Sequence, residues 1–444
     1  MTENSRAYTI TNCTLLTVDG QDNFYENGSM VIKDNRIAKL GAAQDIAPEG
    51  TVVDMQGKLV MPGLINTHTH SHSSLFKNQA DDLRLMDWLN LAMWPMEAHL
   101  NAGRACAATA LSCMEYISCG MTTYADQFYF ADDIAHVASS SGIRAVLGAT
   151  VFTNPCAQTD DTFRAAADFV EKWHGREGET RVYPCMGPHA PYSVSGELFQ
   201  KVAAVCEKYG VLLHTHISET LDENVQIQKR TGLTPTQWLE QLGVLDQRVL
   251  AAHSIHLGEK DMDLYAKYNV HVSYNPVSNL KLVSGIMPYK ALVDRGIQVS
   301  IGTDGAQSNN SMDLLRDLRT GALLQKQTNA DPTMFGAREM VRLATIEGAK
   351  ALYLEDEIGS LEVNKRADFI ALDQSSPRLC PLHRGNVKNL YAIIAYSAYG
   401  ADVSDMAVDG RWVMRNRDIL TMDCDAVRRN AQQASEYLVS HCRL

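Results

Sequence analysis

The strongest constraint on the fold is an alternation that begins at Lys58, where short apolar runs are each followed by a helix-length amphipathic stretch. The runs are LVMPGLIN (59–66), MTTYAD (121–126), IRAVLGATV (143–151), RVYPCMG (181–187), VLLHTH (211–216), RVLAAH (248–253), VHVSYN (270–275) and QVSIGTD (298–304). Strands that alternate with helices form βα units around a parallel sheet. Eight such units predict an α/β protein built on a closed (β/α)8 TIM barrel that ends near residue 355.

The flanks have a different texture. Residues 8–18, 29–40 and 51–55 read as short strands, with turns at Asp19-Gly20 and Asn27-Gly28. β texture returns at 367–373, 390–396 and 406–414, before a helix-like stretch over 425–440. The simplest assembly joins both termini into a small discontinuous β-sandwich domain, residues 1–57 and 360–444, beside a barrel of residues 58–359.

Composition narrows the function. With 45% hydrophobic and 21% charged residues among 444, the chain can bury a large core, which excludes disorder and fibrous repeats. A net charge of -12 opposes binding to phosphate backbones, so no nucleic acid polymer is expected as a partner. The start MTENSRAYTI lacks a basic, then apolar, leader, and no apolar run approaches a membrane span. A soluble, cytoplasmic protein with no membrane partner is the expectation. The ten cysteines include no C-x-x-C pair, so disulfides are not expected.

Barrel enzymes carry their chemistry at the C-terminal ends of the strands, and here those ends are rich in ligating groups. The first run leads into His68-Thr69-His70, the fifth ends in His216 with Glu219 three residues on, the sixth ends in His253 and the eighth in Asp304. Alternation along a strand points His68 and His70 the same way, so both can grip one ion. Imidazole and carboxylate donors suit one divalent metal ion, Zn²⁺ first among them. A lone His-x-His has an ordinary structural reading, but convergence of groups from separate strands does not. His72 and His214 offer competing His-x-His registers; neither is expected to ligate, because His72 has moved into the loop and His216 is nearer its strand end.

The segments LVMPGLINTHTH (59–70), HISE (216–219), AAHSIHL (251–257), SYNPVSNLKL (273–282), IGTDGAQSNNS (301–311) and ADFIALD (367–373) resemble the amidohydrolase superfamily, in its deaminase and chlorohydrolase branch. WPME (94–97), GPHAPYS (187–193) and LLQK (323–326) are most similar to 5-methylthioadenosine/S-adenosylhomocysteine deaminases. The resemblance covers essentially the whole chain. It implies His68, His70, His216 and Asp304 as ligands of a single metal, and Glu219, His253 and Asp304 as catalytic groups. It also implies that Glu97 holds the ribose hydroxyls, His189 and Glu219 contact the purine, and Trp88 walls the 5′ side. Homodimers or homotetramers are implied as well.

From these roles follows hydrolytic deamination at C6 of an adenosine derivative, giving an inosine-type product and ammonia. Relatives that take a homocysteine tail are expected to place an arginine at the end of the third strand; here Ala149, Thr150, Val151 and Phe152 stand there, and Arg164 is the first arginine after them. That favours 5′-methylthioadenosine, 5′-deoxyadenosine or adenosine over S-adenosylhomocysteine. The alternatives are a guanine or other free-purine deaminase, an s-triazine chloro- or aminohydrolase on the same fold, and a non-catalytic scaffold. Ser278-Asn279-Leu280-Lys281 fits S-x-x-K but has no K-T-G companion, and is read as a loop.

Overall fold

The computed structural model describes residues 7–79, 81–154, 161–179, 181–383 and 385–442. Seventeen strands occur among them: β1 Ala7–Leu16, β2 Phe24–Lys33, β3 Arg36–Ala42, β4 Thr51–Asp54, β5 Leu59–Pro62, β6 Leu64–Thr69, β7 Met121–Phe128, β8 Arg144–Val151, β9 Val182–Pro188, β10 Leu213–Ile217, β11 Val249–His253, β12 His271–Tyr274, β13 Val299–Ile301, β14 Phe369–Leu372, β15 Val403–Val408, β16 Arg411–Arg415 and β17 Asp418–Ile419.

Strands β6 to β13 form one eight-stranded sheet in sequence order, the α/β barrel that the repeated runs predict. Its two edge strands meet: Thr67 Oγ1 donates to Ile301 O at 2.9 Å, and Asp304 N donates to His68 O at 3.0 Å. Strands β7, β8 and β10 are buried at every position, as parallel strands covered on both faces must be. Helices after the strands start at polar caps. Asp161 accepts from Arg164 N at 2.9 Å, Ser195 from Leu198 N at 3.3 Å and Thr220 from Glu223 N at 3.2 Å, each satisfying a donor the helix itself leaves unpaired.

The terminal segments build a second, nine-stranded mixed sheet in the order β17-β16-β15-β14-β5-β1-β2-β3, with β4 paired to β1. All nine strands are hydrogen-bonded into one sheet, and its own core gathers Ile10, Met30, Ile32, Val60, Phe369 and Ala407. By compactness the chain divides into Met1–Ile65 with Glu115–Thr123 and Asp313–Met422, and Asn66–Met114 with Tyr124–Met312 and Asp423–Leu444. The C-terminal helix Cys424–His441 thus belongs to the second unit.

Three segments differ from the sequence reading. The first apolar run splits at Gly63 into β5, which joins the mixed sheet, and β6, which opens the barrel. A Cβ at Gly63 would stand 2.1 Å from the Thr122 side chain, so only glycine permits this crossing. Residues 29–40 are not one strand, because Asp34 takes a positive φ of 57° and turns the chain from β2 into β3. Residues 390–396 are helical, with Leu390, Tyr391, Ile393 and Ile394 buried on one face. An apolar run of this kind suits a buried helix as well as a strand, and what it packs against decides between them.

No helix among the described residues is long and apolar enough to cross a membrane, and the nine cysteines among them are free thiols. Replacing Gly63 by Val should cost about 1–3 kcal/mol through overpacking against Thr122. The check is thermal unfolding of the purified variant, in which the melting midpoint should fall.

Candidate active site

The groups singled out at the strand ends converge. His68 lies in β6, His70 directly after it, His216 in β10 and His253 at the end of β11, while Asp304 follows β13 by three residues. The backbone bends sharply where these strands end, with positive φ at Ser218 (53°), His253 (70°), Ser254 (53°) and Asp304 (60°). Such conformations cost non-glycine residues free energy and persist only where surrounding contacts hold them. Here they turn side chains into the barrel mouth.

Hydrogen bonds decide which imidazole nitrogen faces the centre. His70 Nδ1 donates to Gln127 O at 2.9 Å, and His216 Nδ1 donates to His189 O at 2.7 Å. Carbonyls only accept, so in both rings Nδ1 carries a proton and Nε2 is the nitrogen left to face the centre. The two Nε2 atoms face one another at 3.3 Å. His68 Nδ1 pairs with His214 Nε2 at 2.8 Å, and its buried Nε2 has no hydrogen-bond partner. Asp304 Oδ1 is 3.4 Å from both His68 Nε2 and His70 Nε2.

Lone pairs aimed at a common point in a dry pocket repel one another unless a cation lies between them. Donors bonded at about 2.1 Å to a tetrahedral ion stand roughly 3.4 Å apart, so the observed spacings fit a single divalent ion. His68, His70 and His216 form one cluster able to hold a metal, and His68, His253 and Asp304 form an overlapping one.

The charges around this point are arranged to match. Burial lowers the pKa of His68 to about 4, although the Asp304 carboxylate beside it pulls the other way. Burial alone would raise Asp304, but the adjacent His68 and the nearby His253 outweigh it and hold the carboxyl well below the usual range. Glu219 is pushed up, chiefly by burial, and accepts from Ser284 Oγ at 3.2 Å. His253 would be lowered by burial; the Glu219 and Asp304 carboxylates reverse this and raise it. Its Nε2 stands 3.8 Å from Glu219 Oε2.

A cleft opens above these groups. His70, His216, Glu219, His253 and Asp304 line it, as do Trp88, Glu97 and His189, while His68 lies fully buried. His189 is fixed by Ser193 Oγ at 2.7 Å and by stacking on Phe152 at 4.5 Å. Arg164 is not in the cleft: its side chain is 79% exposed and faces Asp168 at 3.7 Å. None of the described residues lining the cleft is Arg or Lys.

The profile of the amidohydrolase family matches residues 59–413. The chain belongs to the amidohydrolase family. It is 38% identical over 433 residues to a 5-methylthioadenosine/S-adenosylhomocysteine deaminase of Desulforudis audaxviator, covering 97% of this chain and 98% of that one. It is 37% identical over 434 residues to a 5′-deoxyadenosine deaminase of Methanosarcina acetivorans, with the same coverage. A crystal structure of a zinc-bound adenosine deaminase from Xanthomonas campestris superposes with a TM-score of 0.92 at 31% identity, covering 97% of this chain and 98% of that one.

Several working parts of this amidohydrolase escape sequence reasoning. Ser278 and Asn279, which read as an idle loop, lie in a short helix, Pro276–Lys281. Ser278 Oγ donates to Asp304 Oδ2 at 2.6 Å, and Asn279 Oδ1 accepts from His253 Nδ1 at 2.7 Å. Glu223 accepts from Ser218 N at 3.0 Å and Glu219 N at 2.9 Å, locking the bend that carries Glu219. His214, set aside as a ligand, instead props His68 from behind. The one usable signal was position, since SNLK begins within four residues of the end of the seventh barrel strand.

Replacing His216 by Ala should cut the bound metal well below the one ion per chain expected of the intact protein, read by elemental analysis. Asn279→Ala should retain the metal yet lose about tenfold or more in turnover, because His253 loses the partner that orients it.

Proposed function

We propose that this amidohydrolase deaminates C6 of an adenosine derivative by hydrolysis, with zinc as its resident ion. The reading rests on one juxtaposition: Glu219, whose carboxyl burial pushes up, beside a cluster of imidazole nitrogens and the Asp304 carboxylate, which is held well below the usual range. The deaminase names of the full-length relatives and the zinc of the Xanthomonas structure support it.

His68, His70, His216 and Asp304 would hold the ion. Bound there, a divalent ion lowers the pKa of water towards about 7, which supplies a nucleophile at neutral pH. Asp304, which stays ionised, accepts the proton of the attacking water. His253, oriented by Asn279 and raised towards its charged form, hydrogen-bonds the water and the developing negative charge. Glu219 donates its proton to the ring nitrogen next to C6, making that carbon electrophilic, and then carries a proton to the departing amine. Ammonia leaves, and oxygen from water takes its place.

The cleft walls fit a nucleoside. Glu97 offers a carboxylate that can accept hydrogen bonds from both ribose hydroxyls. His189 lies against the purine, and Trp88 closes the 5′ side as an apolar wall. Without a cation among its described lining residues, the cleft suits an uncharged 5′ group, as in 5′-methylthioadenosine, 5′-deoxyadenosine or adenosine, over the charged tail of S-adenosylhomocysteine.

Ammonia release measured in parallel on 5′-deoxyadenosine, S-adenosylhomocysteine, guanine and an amino-s-triazine, with chloride release read on a chloro-s-triazine, tests the assignment. The uncharged nucleoside should give the highest kcat/KM. Turnover of guanine or a triazine alone would replace this reading with another substrate class. In the same assay Glu219→Gln should lower kcat by about a hundredfold or more, the usual weight of a general acid.

A further inference from the structure

His72 is a polar side chain in the cleft wall that the groups above do not account for. It is only 2% exposed, and neither of its ring nitrogens makes a hydrogen bond. Its ring stacks on Phe128 and meets Phe76 edge-on at 5.7 Å. In that aromatic setting phenylalanine would pack as well, without burying two polar atoms. The polarity of His72 is used in one direction only: Nε2 faces Glu97 Oε1 at 3.5 Å, just outside hydrogen-bond length. Both residues line the same cleft.

We propose that His72 is a positioning residue for Glu97 and so sets the preference for a ribonucleoside over its 2′-deoxy counterpart. The proposal rests on reading Glu97 as the acceptor of the ribose diol. To accept two hydroxyls side by side, a carboxylate must present both oxygens to the sugar in one orientation. Glu97 ends a short helix, Trp94–Glu97, on a side chain with three rotatable bonds. A small rotation of the Glu97 side chain closes the remaining gap, and an N–H from His72 Nε2 to Oε1 then favours one orientation of the carboxylate. The stack on Phe128 fixes the imidazole plane, so the donor direction is set before substrate arrives.

The test compares kcat/KM for 5′-deoxyadenosine and 2′,5′-dideoxyadenosine in the intact protein, His72→Phe and His72→Gln, with bound metal measured in each. Phenylalanine keeps the stack but lacks the donor; glutamine restores a donor without the ring. The intact protein should favour the ribonucleoside. His72→Phe should lose about tenfold on it, mainly through KM, and much less on the 2′-deoxy substrate, as expected when a charged acceptor loses its donor. His72→Gln should recover part of the preference. An unchanged ratio in His72→Phe, equal losses on both substrates, or loss of the metal would each overturn the assignment, the last by marking His72 as a support for His70. An intact protein inactive on both nucleosides would overturn the functional reading together with it.

Discussion

Everything in the site depends on the direction of imidazole lone pairs. A histidine offers two nitrogens, and a metal cluster forms only if each ring commits the same one to the centre. Backbone carbonyls make that commitment here, Gln127 O for His70 and His189 O for His216, by accepting the Nδ1 proton. The carbonyls belong to neighbouring barrel strands or to the residue just after one, so sheet register itself sets the tautomer. The outcome is unfavourable for the protein alone, with two Nε2 lone pairs 3.3 Å apart. A divalent cation converts that repulsion into binding energy, and the fold supplies the rigidity that prevents the rings from turning away.

The same rigidity supports the residues that handle protons. Glu219 and Asp304 are both carboxyl groups in a dry pocket, yet their pKa values move in opposite directions. Asp304 has histidines against it and is held ionised; Glu219 has burial and the Asp304 charge against its ionised form. An acid and a base of one chemical type are thereby separated by surroundings alone. The left-handed bends at Ser218, His253 and Asp304 are part of this arrangement. Close packing leaves them little room to relax: a Cβ at Gly302 would come within 2.8 Å of His68 O and closer to Ser273 and Asn275.

The recurrence of apolar run and amphipathic helix made the barrel legible, because strands buried on both faces have to be apolar throughout and helices outside them have to be two-sided. The six polar groups that break those runs were legible for the complementary reason: charge at the end of a buried strand needs a purpose. The terminal sheet was harder to read. The hairpin at Asp34 and the helix at 390–396 depend on a single backbone angle and on what the apolar face packs against, neither of which a local pattern states.

What the chain specified locally is therefore the kind of fold and the placement of a set of histidines and carboxyl groups at its strand ends. Tertiary structure alone decided which nitrogen each ring presents, that Ser278 and Asn279 brace Asp304 and His253, that His214 backs His68, and that His72 faces Glu97. These are relations between residues as many as 146 positions apart in the sequence, as His68 and His214 are. Hydrogen bonds and lone pairs are directional, and direction exists only once the strands that carry them have been set side by side.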